Sequence, residues 1–354
     1  PKISAFTIFF PEGNEEEMAE DYKYTKFFCE KNYIKLNKIN FSYKNIDTDI
    51  EKIIYFLDEP ISDLAALNLF YISNLARDYN HKVLLSGAGA DDIFSGYRRH
   101  RALYIKDKIG ILHDPIIKLL NSYKPLLKKF LNNSNYRRIS KLININSENV
   151  KNNLSNYFVW TNSNDLSNLI SNDYKKVFYK SNPHDEFDSY LKKIPSNLSN
   201  IDKLLLIEQR FFLTEHNLDY VDKMSMANGI EVRVPFLDYD LVNFVNTIPD
   251  NYKIDFLTNK KLLKEISKKY LPAKIINRKK AGFGSPVKKL VKNNLKDIIH
   301  DTFASADFLN RGLFDRKNVK DLINLNFNDI EDHSYTILSL LFIELWFKRF
   351  KVNL

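Results

Sequence analysis

A single cysteine, Cys29, stands among the 354 residues. One thiol closes no internal disulfide and provides no Cys-based zinc cluster of ordinary spacing, and it fits a reducing, cytoplasmic compartment. Long apolar runs are also missing. The strongest, Leu340-Leu341-Phe342-Ile343, is broken by Glu344, far short of the ~20 residues that cross a bilayer, so no membrane span is expected. The start, Pro1-Lys2-Ile3-Ser4-Ala5-Phe6, has neither a Met nor a charged-then-apolar leader, and reads as a cut edge. Charge is not gathered into one block: 53 Lys and Arg face 44 Asp and Glu, a net +9, and the two signs are interspersed. A mildly basic solvated surface accounts for this, and no nucleic-acid partner is expected.

What is present is globular in character. Hydrophobic residues make up 44% and aromatic residues 14%, with a mean hydropathy of −0.36, which excludes collagen-like and wholly disordered classes. The length suggests roughly two domains, or one large α/β domain with insertions, and a chain of this size buries about 75% of its unfolded surface without a disulfide or metal staple.

Alternation sets the architecture. Ser4 to Phe10 is rich in aromatic and β-branched residues and stops at Pro11-Glu12-Gly13, the pattern of a short buried strand closed by a turn. A helix-favouring run follows from Glu15 to Cys29, then a strand candidate from Ile34 to Phe41. Leu64, Leu67, Tyr71 and Leu75 recur at helical spacing. Val83-Leu84-Leu85 reads as a compact buried strand that leads into Ser86-Gly87-Ala88-Gly89 and then Ala90-Asp91-Asp92-Ile93-Phe94. Strand and helix in alternation predict a parallel sheet with covering helices. Beyond about residue 100 the strand signals fade. Ile116 to Leu131 and Lys203 to Phe212 carry helical periodicity, residues 132–200 read as helices joined by polar loops, and Tyr335 to Phe350 reads as an apolar core helix. The expected organisation is an α/β part over 1–100 and a larger, mostly helical part over 101–354.

Three segments concentrate chemistry. In Ser86-Gly87-Ala88-Gly89, between a strand and a helix start, free N–H groups and the positive helix end attract an anion. Asp91 and Asp92 either cap that helix and complement its dipole or, one of them, hold Mg²⁺, a hard cation that prefers carboxylate and phosphate oxygens. The Gly-Lys-Ser/Thr ending of a P-loop is absent. The second segment, Asp222 to Asp238, sets Asp222, Glu231, Arg233 and Asp238 among apolar residues, where charges must be paired or used. In the third, Asn277-Arg278-Lys279-Lys280-Ala281-Gly282-Phe283-Gly284-Ser285-Pro286, cations flank a Gly-Phe-Gly turn and either clamp a phosphate, meet negative charge in a transition state or, as in most lysine pairs, are merely solvated. The seven histidines show no metal-ligand spacing, and His100, in Tyr97-Arg98-Arg99-His100, reads as a surface residue. Ser86 lacks the Gly-x-Ser-x-Gly elbow of a hydrolase.

Taken together these segments resemble the synthetase domain of the glutamine-dependent asparagine synthetases. Leu85-Ser86-Gly87-Ala88-Gly89-Ala90-Asp91-Asp92-Ile93-Phe94-Ser95-Gly96-Tyr97 is similar to the family's Leu-Ser-Gly-Glu/Asp-Gly-Ala-Asp-Glu-Leu-Phe-Gly-Gly-Tyr. Asp58-Glu59-Pro60, Glu231 to Asp238, Arg278 to Gly284 and Glu344-Leu345-Trp346 match further signatures in the same order. The resemblance implies an adenine-nucleotide alpha-hydrolase-like (ATP pyrophosphatase) parallel-sheet core. It also implies a two-step ligase that activates the aspartate side chain with ATP and Mg²⁺ to β-aspartyl-AMP, which ammonia then converts to asparagine. Carried over by position, it implies that the Ile8 backbone meets adenine, Ser86 and Gly87 contact the nucleotide, and Asp91 binds Mg²⁺-pyrophosphate. Lys280 then meets charge at the α-phosphate and acyl carbon, and Glu231 supports the site. The family's Ser-Gly-Gly-x-Asp-Ser-Ser loop and its glutaminase domain with a leading Cys are missing from the sequence, which leads to the expectation of a fragment that is inactive alone. Ala88 replaces the family's acid, which admits another acceptor carboxylate, such as a sugar acid or a ring-closing substrate, or a non-catalytic relative. Partners are expected to be small molecules, and the oligomeric state, a homodimer included, is left open.

Overall fold

The computed structural model describes residues 3–10, 16–110, 154–159, 161, 163–180, 185–278 and 286–352, together with positions 115, 119, 122 and 123. The expected Ile116–Leu131 helix, apart from positions 119, 122 and 123, and Lys280 lie outside the described residues. The chain is a mixed α/β protein with far more helix than strand. Strand β1 (Ser4–Phe9) runs into helix α1 (Glu16–Lys31) and strand β2 (Lys35–Asn40). β1 and β2 pair in parallel from Ser4 opposite Lys35 to Phe9 opposite Asn40, a pairing that requires the crossover α1 provides. Helices α2 (Ile46–Leu57) and α3 (Ala65–Asp78) follow, then strand β3 (Val83–Leu85), helix α4 (Ala90–Ile93) and helix α5 (Arg98–Ile109). Strand β4 (Glu231–Arg233) returns to pair in parallel with β3, Leu84 facing Val232.

The sequence pattern explains the long helices. In α2 the buried residues Ile46, Ile50, Ile53, Ile54 and Leu57 recur at helical spacing on one face. The helix stops where Asp58 takes the left-handed conformation with φ 53, a helix-ending geometry. The same core takes in the helix Ser334–Phe350 through Ile337, Leu338, Leu341, Phe342 and Leu345. In the middle of this apolar helix Glu344 is buried against Arg311, 3.3 Å away. Burial pushes the Glu344 carboxyl up, against the pull of Arg311. Among the described residues no helix is long and apolar enough to cross a membrane.

Two expectations change. Val83-Leu84-Leu85 is a strand but not a buried one, because Val83 is 37% and Leu85 74% exposed. Among the described residues β3 pairs with β4 alone, which leaves these apolar side chains uncovered. Strand signals also return late in the chain: Glu231–Arg233, read from sequence only as a charged motif, is β4.

Candidate active site

The parallel pairing of β3 with β4 brings two of the sequence segments together. Ser86 N–H donates to the Arg233 carbonyl at 2.9 Å and Glu231 N–H to the Lys82 carbonyl at 2.9 Å, so the glycine loop leaves β3 beside Glu231 and Arg233. Within the loop the Ser86 hydroxyl oxygen accepts from Ala88 N–H at 3.2 Å. A Cβ at Gly87 would meet nothing within 4 Å, so this backbone faces open space. Gly89 is the opposite case: its φ is 87, and a Cβ there would lie 2.3 Å from Leu237 Cδ2. The loop is thereby packed onto Pro235–Leu237 at a point only glycine fits.

The two acids after the loop part company. Neither acts as the N-cap of the four-residue α4, a position held by Gly89 without any side-chain cap. Asp91 is partly exposed and lies 3.1 Å from Lys260 Nζ. Asp92 is 1% exposed and accepts from the Tyr97 hydroxyl at 3.4 Å. The Tyr97 oxygen in turn accepts from Asn217 Nδ2 at 3.2 Å. Burial, with Glu208 and Asp91 nearby, pushes the Asp92 carboxyl up to about 7.

Behind this pair is a node the sequence did not reveal. Glu208 is fully buried and accepts from Arg99 Nε at 2.8 Å and, on its other oxygen, from Arg99 Nη2. His100 Nε2 lies 3.1 Å from the same carboxylate. His100 is 0% exposed, which corrects its reading as a surface residue: its ring is held inside by Glu208. Burial raises the Glu208 carboxyl, but Arg99 and His100 outweigh it and hold it below its ordinary range. Burial lowers the His100 pKa, so a neutral ring donating through Nε2 is the consistent state, with Nδ1 left without a hydrogen-bond partner among the described residues. The Arg99 guanidinium is stacked among the rings of Tyr97 (4.2 Å), Phe212 (4.5 Å) and Phe158 (5.0 Å).

The remaining sequence candidates fall as follows. Glu231 is exposed and pairs with Arg233 Nε at 2.9 Å. That contact holds the Glu231 carboxyl below its usual range. The two charges are therefore paired at the surface, not buried among apolar neighbours. Asp238 caps the helix Tyr239–Thr247 by accepting from Leu241 N–H at 3.1 Å. Lys223, next to Asp222, donates to the Leu57 carbonyl and to Asp58 Oδ1, both at 2.7 Å, and lies 3.1 Å from Asp219. Trp346 Nε1 donates to the Asp58 carbonyl at 2.6 Å. The Asp58-Glu59-Pro60, Asp222–Asp238 and Glu344–Trp346 segments thus meet at one point. Ile8 belongs to the other pair of strands. Phe41 N–H donates to the Phe9 carbonyl at 2.8 Å, and parallel pairing then turns the N–H and C=O of Ile8 away from β2. Lys260 and Asn259 escaped the sequence reading. Asn259 reaches a loop 164 residues away in sequence, and Lys260 reaches Asp91 beside it.

Fold and site together define a mixed α/β protein with a glycine-rich loop after a parallel strand, a carboxylate and lysine facing each other at that loop, and a buried polar node supporting them. The chain belongs to the asparagine synthase family, whose match extends over residues 1–348. It is 27% identical over 316 residues to asparagine synthetase [glutamine-hydrolyzing] 1 of Bacillus subtilis, covering 84% of this chain and 45% of that protein. A putative asparagine synthetase [glutamine-hydrolyzing] of Mycobacterium tuberculosis is 25% identical over 299 residues, 84% of this chain and 44% of the relative. One from Methanocaldococcus jannaschii is 22% identical over 313 residues, 78% of this chain and 41% of the relative. The chain spans less than half the length of these relatives.

Proposed function

We propose that the protein carrying this chain is an ATP-dependent ligase that amidates aspartate to asparagine through β-aspartyl-AMP, using ammonia from glutamine released by a glutaminase domain. Membership of the asparagine synthase family supports the ligase class. The observation that carries the reading is the β3–β4 pairing, which sets the Ser86–Asp91 loop beside Glu231 while Lys260 faces Asp91. In open parallel sheets ligands gather at the carboxyl ends of strands, where this loop leaves β3. In this reading the two strand pairs are parts of one adenine-nucleotide alpha-hydrolase-like sheet.

The residues fit Mg²⁺ brought in on phosphate oxygens. Among the described residues no three His, Cys, Asp or Glu side chains form a ready cation cage. One carboxylate suits a hard cation whose other ligands come from phosphate and water, and the lysine beside it suits the phosphate. Bound there, the cation neutralises phosphate charge. Ser86 and Gly87 contact the nucleotide, Gly87 through backbone that faces open space, and Ile8, whose N–H and C=O point away from β2, offers them to the adenine. Asp91 holds the cation and Lys260 adds a positive charge beside it. Lys280, outside the described residues, meets the negative charge that grows at the α-phosphate and acyl carbon, and Glu231 supports the acceptor side. Adenylation turns the carboxylate oxygen into a good leaving group. A relative acting on another carboxylate is the second reading, favoured by Ala88 at the position of the family's acid.

The protein expressed from its complete gene is expected to release pyrophosphate from ATP in the presence of Mg²⁺ and aspartate, and to form asparagine when glutamine is added. Release that does not depend on aspartate overturns the first reading. Release with another member of a carboxylic-acid panel establishes the second.

A further inference from the structure

The position of the Asp91 carboxylate is set less by its own short helix than by the loop that follows it. α4 ends after four residues, Ser95 is left-handed with φ 62, and Gly96 N–H donates back to the Asp91 carbonyl at 2.8 Å. A Cβ at Gly96 would lie 1.7 Å from Asp91 Oδ1, so the carboxylate rests directly on the Gly96 backbone. Any shift of residues 95–97 therefore moves Asp91. Asn259 ties the backbone of that stretch down from outside: its Nδ2 donates to the Ser95 carbonyl at 3.1 Å and to the Tyr97 carbonyl at 2.9 Å. The next residue, Lys260, is left-handed with φ 53 and places its ammonium 3.1 Å from Asp91 Oδ1. Adjacent residues thus grip the loop and face the carboxylate it carries.

We propose that Asn259 is a positioning residue of the site: its amide, bridging the Ser95 and Tyr97 carbonyls, fixes the 95–97 loop and through it the Asp91 carboxylate relative to Lys260. The inference rests on the reading of Asp91 as the residue that takes Mg²⁺-pyrophosphate. The chemistry favours asparagine at this position. An amide nitrogen has two hydrogens for two carbonyls, whereas an isosteric carboxylate has none and would face two carbonyl oxygens. Partners that orient a metal-binding carboxylate without touching the metal typically change affinity by 10–100-fold when removed.

The test is calorimetric titration of magnesium pyrophosphate into the protein expressed from its complete gene, for the wild type, Asn259→Ala and Asp91→Asn. Thermal unfolding of each variant is recorded alongside. Asn259→Ala is expected to weaken binding by about 10-fold or more, to raise KM for ATP more than it lowers kcat, and to leave the melting transition cooperative. If Asp91→Asn abolishes binding and Asn259→Ala stays within about threefold of wild type, a margin far below the 10–100-fold expected of an orienting partner, the positioning role is wrong. If Asp91→Asn itself binds like wild type, the reading of Asp91 falls instead. Should Asn259→Ala fail to fold, Asn259→Asp, which keeps the shape and removes both donors, decides the same titration.

Discussion

Asp92 is the residue whose surroundings set the sharpest condition on the chain. An unfolded aspartate releases its proton near pH 4, while burial beside Glu208 and Asp91 pushes the folded Asp92 carboxyl up to about 7. Between those values the folded chain keeps a proton that the unfolded chain has lost. The contribution of Asp92 to stability is therefore complete below about pH 4 and is lost as the pH rises through 7, at up to ~1.4 kcal/mol per pH unit. Asp92→Asn keeps the shape and removes the titration. Urea denaturation of both proteins at pH 5 and pH 8 is expected to show the variant gaining stability relative to wild type at the higher pH. A difference that does not change with pH would mean that Asp92 is ionised in the folded chain throughout. At this scale the sequence was half legible. The spacing Ser86-Gly87-Ala88-Gly89-Ala90-Asp91-Asp92 marked the loop and both acids, but not their separate environments. Asp91 meets Lys260 through a contact that local spacing does not record, while Asp92 turns inward to Tyr97. His100 was misplaced for the same reason: the partner that draws it inside, Glu208, is 108 residues away.

Among the elements, the segment Glu208–Leu218 is wound as a π-helix, continuing the α-helix Asn200–Ile207. Helical periodicity over Lys203 to Phe212 was readable, but the widening at Glu208 was not, because the apolar pattern there fits either winding. Such segments are rare and often found where function is. This one delivers Glu208 to Arg99 and His100, and Asn217 to Tyr97. Glu208→Ala strips the counter-charge from an arginine only 20% exposed. Removing one partner of a buried pair typically costs 3–5 kcal/mol, and a loss of about that size is expected at pH 7 by urea denaturation. Since the Glu208 carboxyl is held below its ordinary range, its stabilisation is present above the unfolded carboxyl pKa and lost as the pH falls through the folded one. The gap between wild type and variant should accordingly narrow in acid. A loss below 1 kcal/mol at pH 7 would show that desolvation cancels the pair. Three of the four strands were readable, since β1, β2 and β3 each fell within a residue or two of the segments that announced them, while β4 was not. Their exposure was not readable: Leu85 is 74% exposed because among the described residues β3 pairs only with β4.

For the molecule as a whole, the decisive fact is that the largest core is not local. Ile8, Ile50, Ile53 and Leu67 from the start of the chain share it with Leu290, Ile299, Leu341 and Leu345 from its end, and Trp346 donates to the Asp58 carbonyl at 2.6 Å. The alternation of strands and helices announced an α/β part. No periodicity could announce that the apolar helix Ser334–Phe350 is the surface against which α2 packs. A core closed by both ends should melt as one unit, because losing either end exposes the apolar face of the other. Leu341 is 0% exposed within that shared cluster. Truncating a buried leucine to alanine typically costs 2–5 kcal/mol, with the larger values where the cavity cannot collapse. Leu341→Ala is therefore expected to lower the unfolding free energy measured by urea denaturation by an amount in that range, with far-UV circular dichroism and the fluorescence of Trp346, read in a Trp160→Phe background, moving through coincident transitions. If Trp346 fluorescence changes at lower urea than the dichroism does, the C-terminal helix detaches before α1–α3 unfold, and the shared core does not bind the two ends into one cooperative unit.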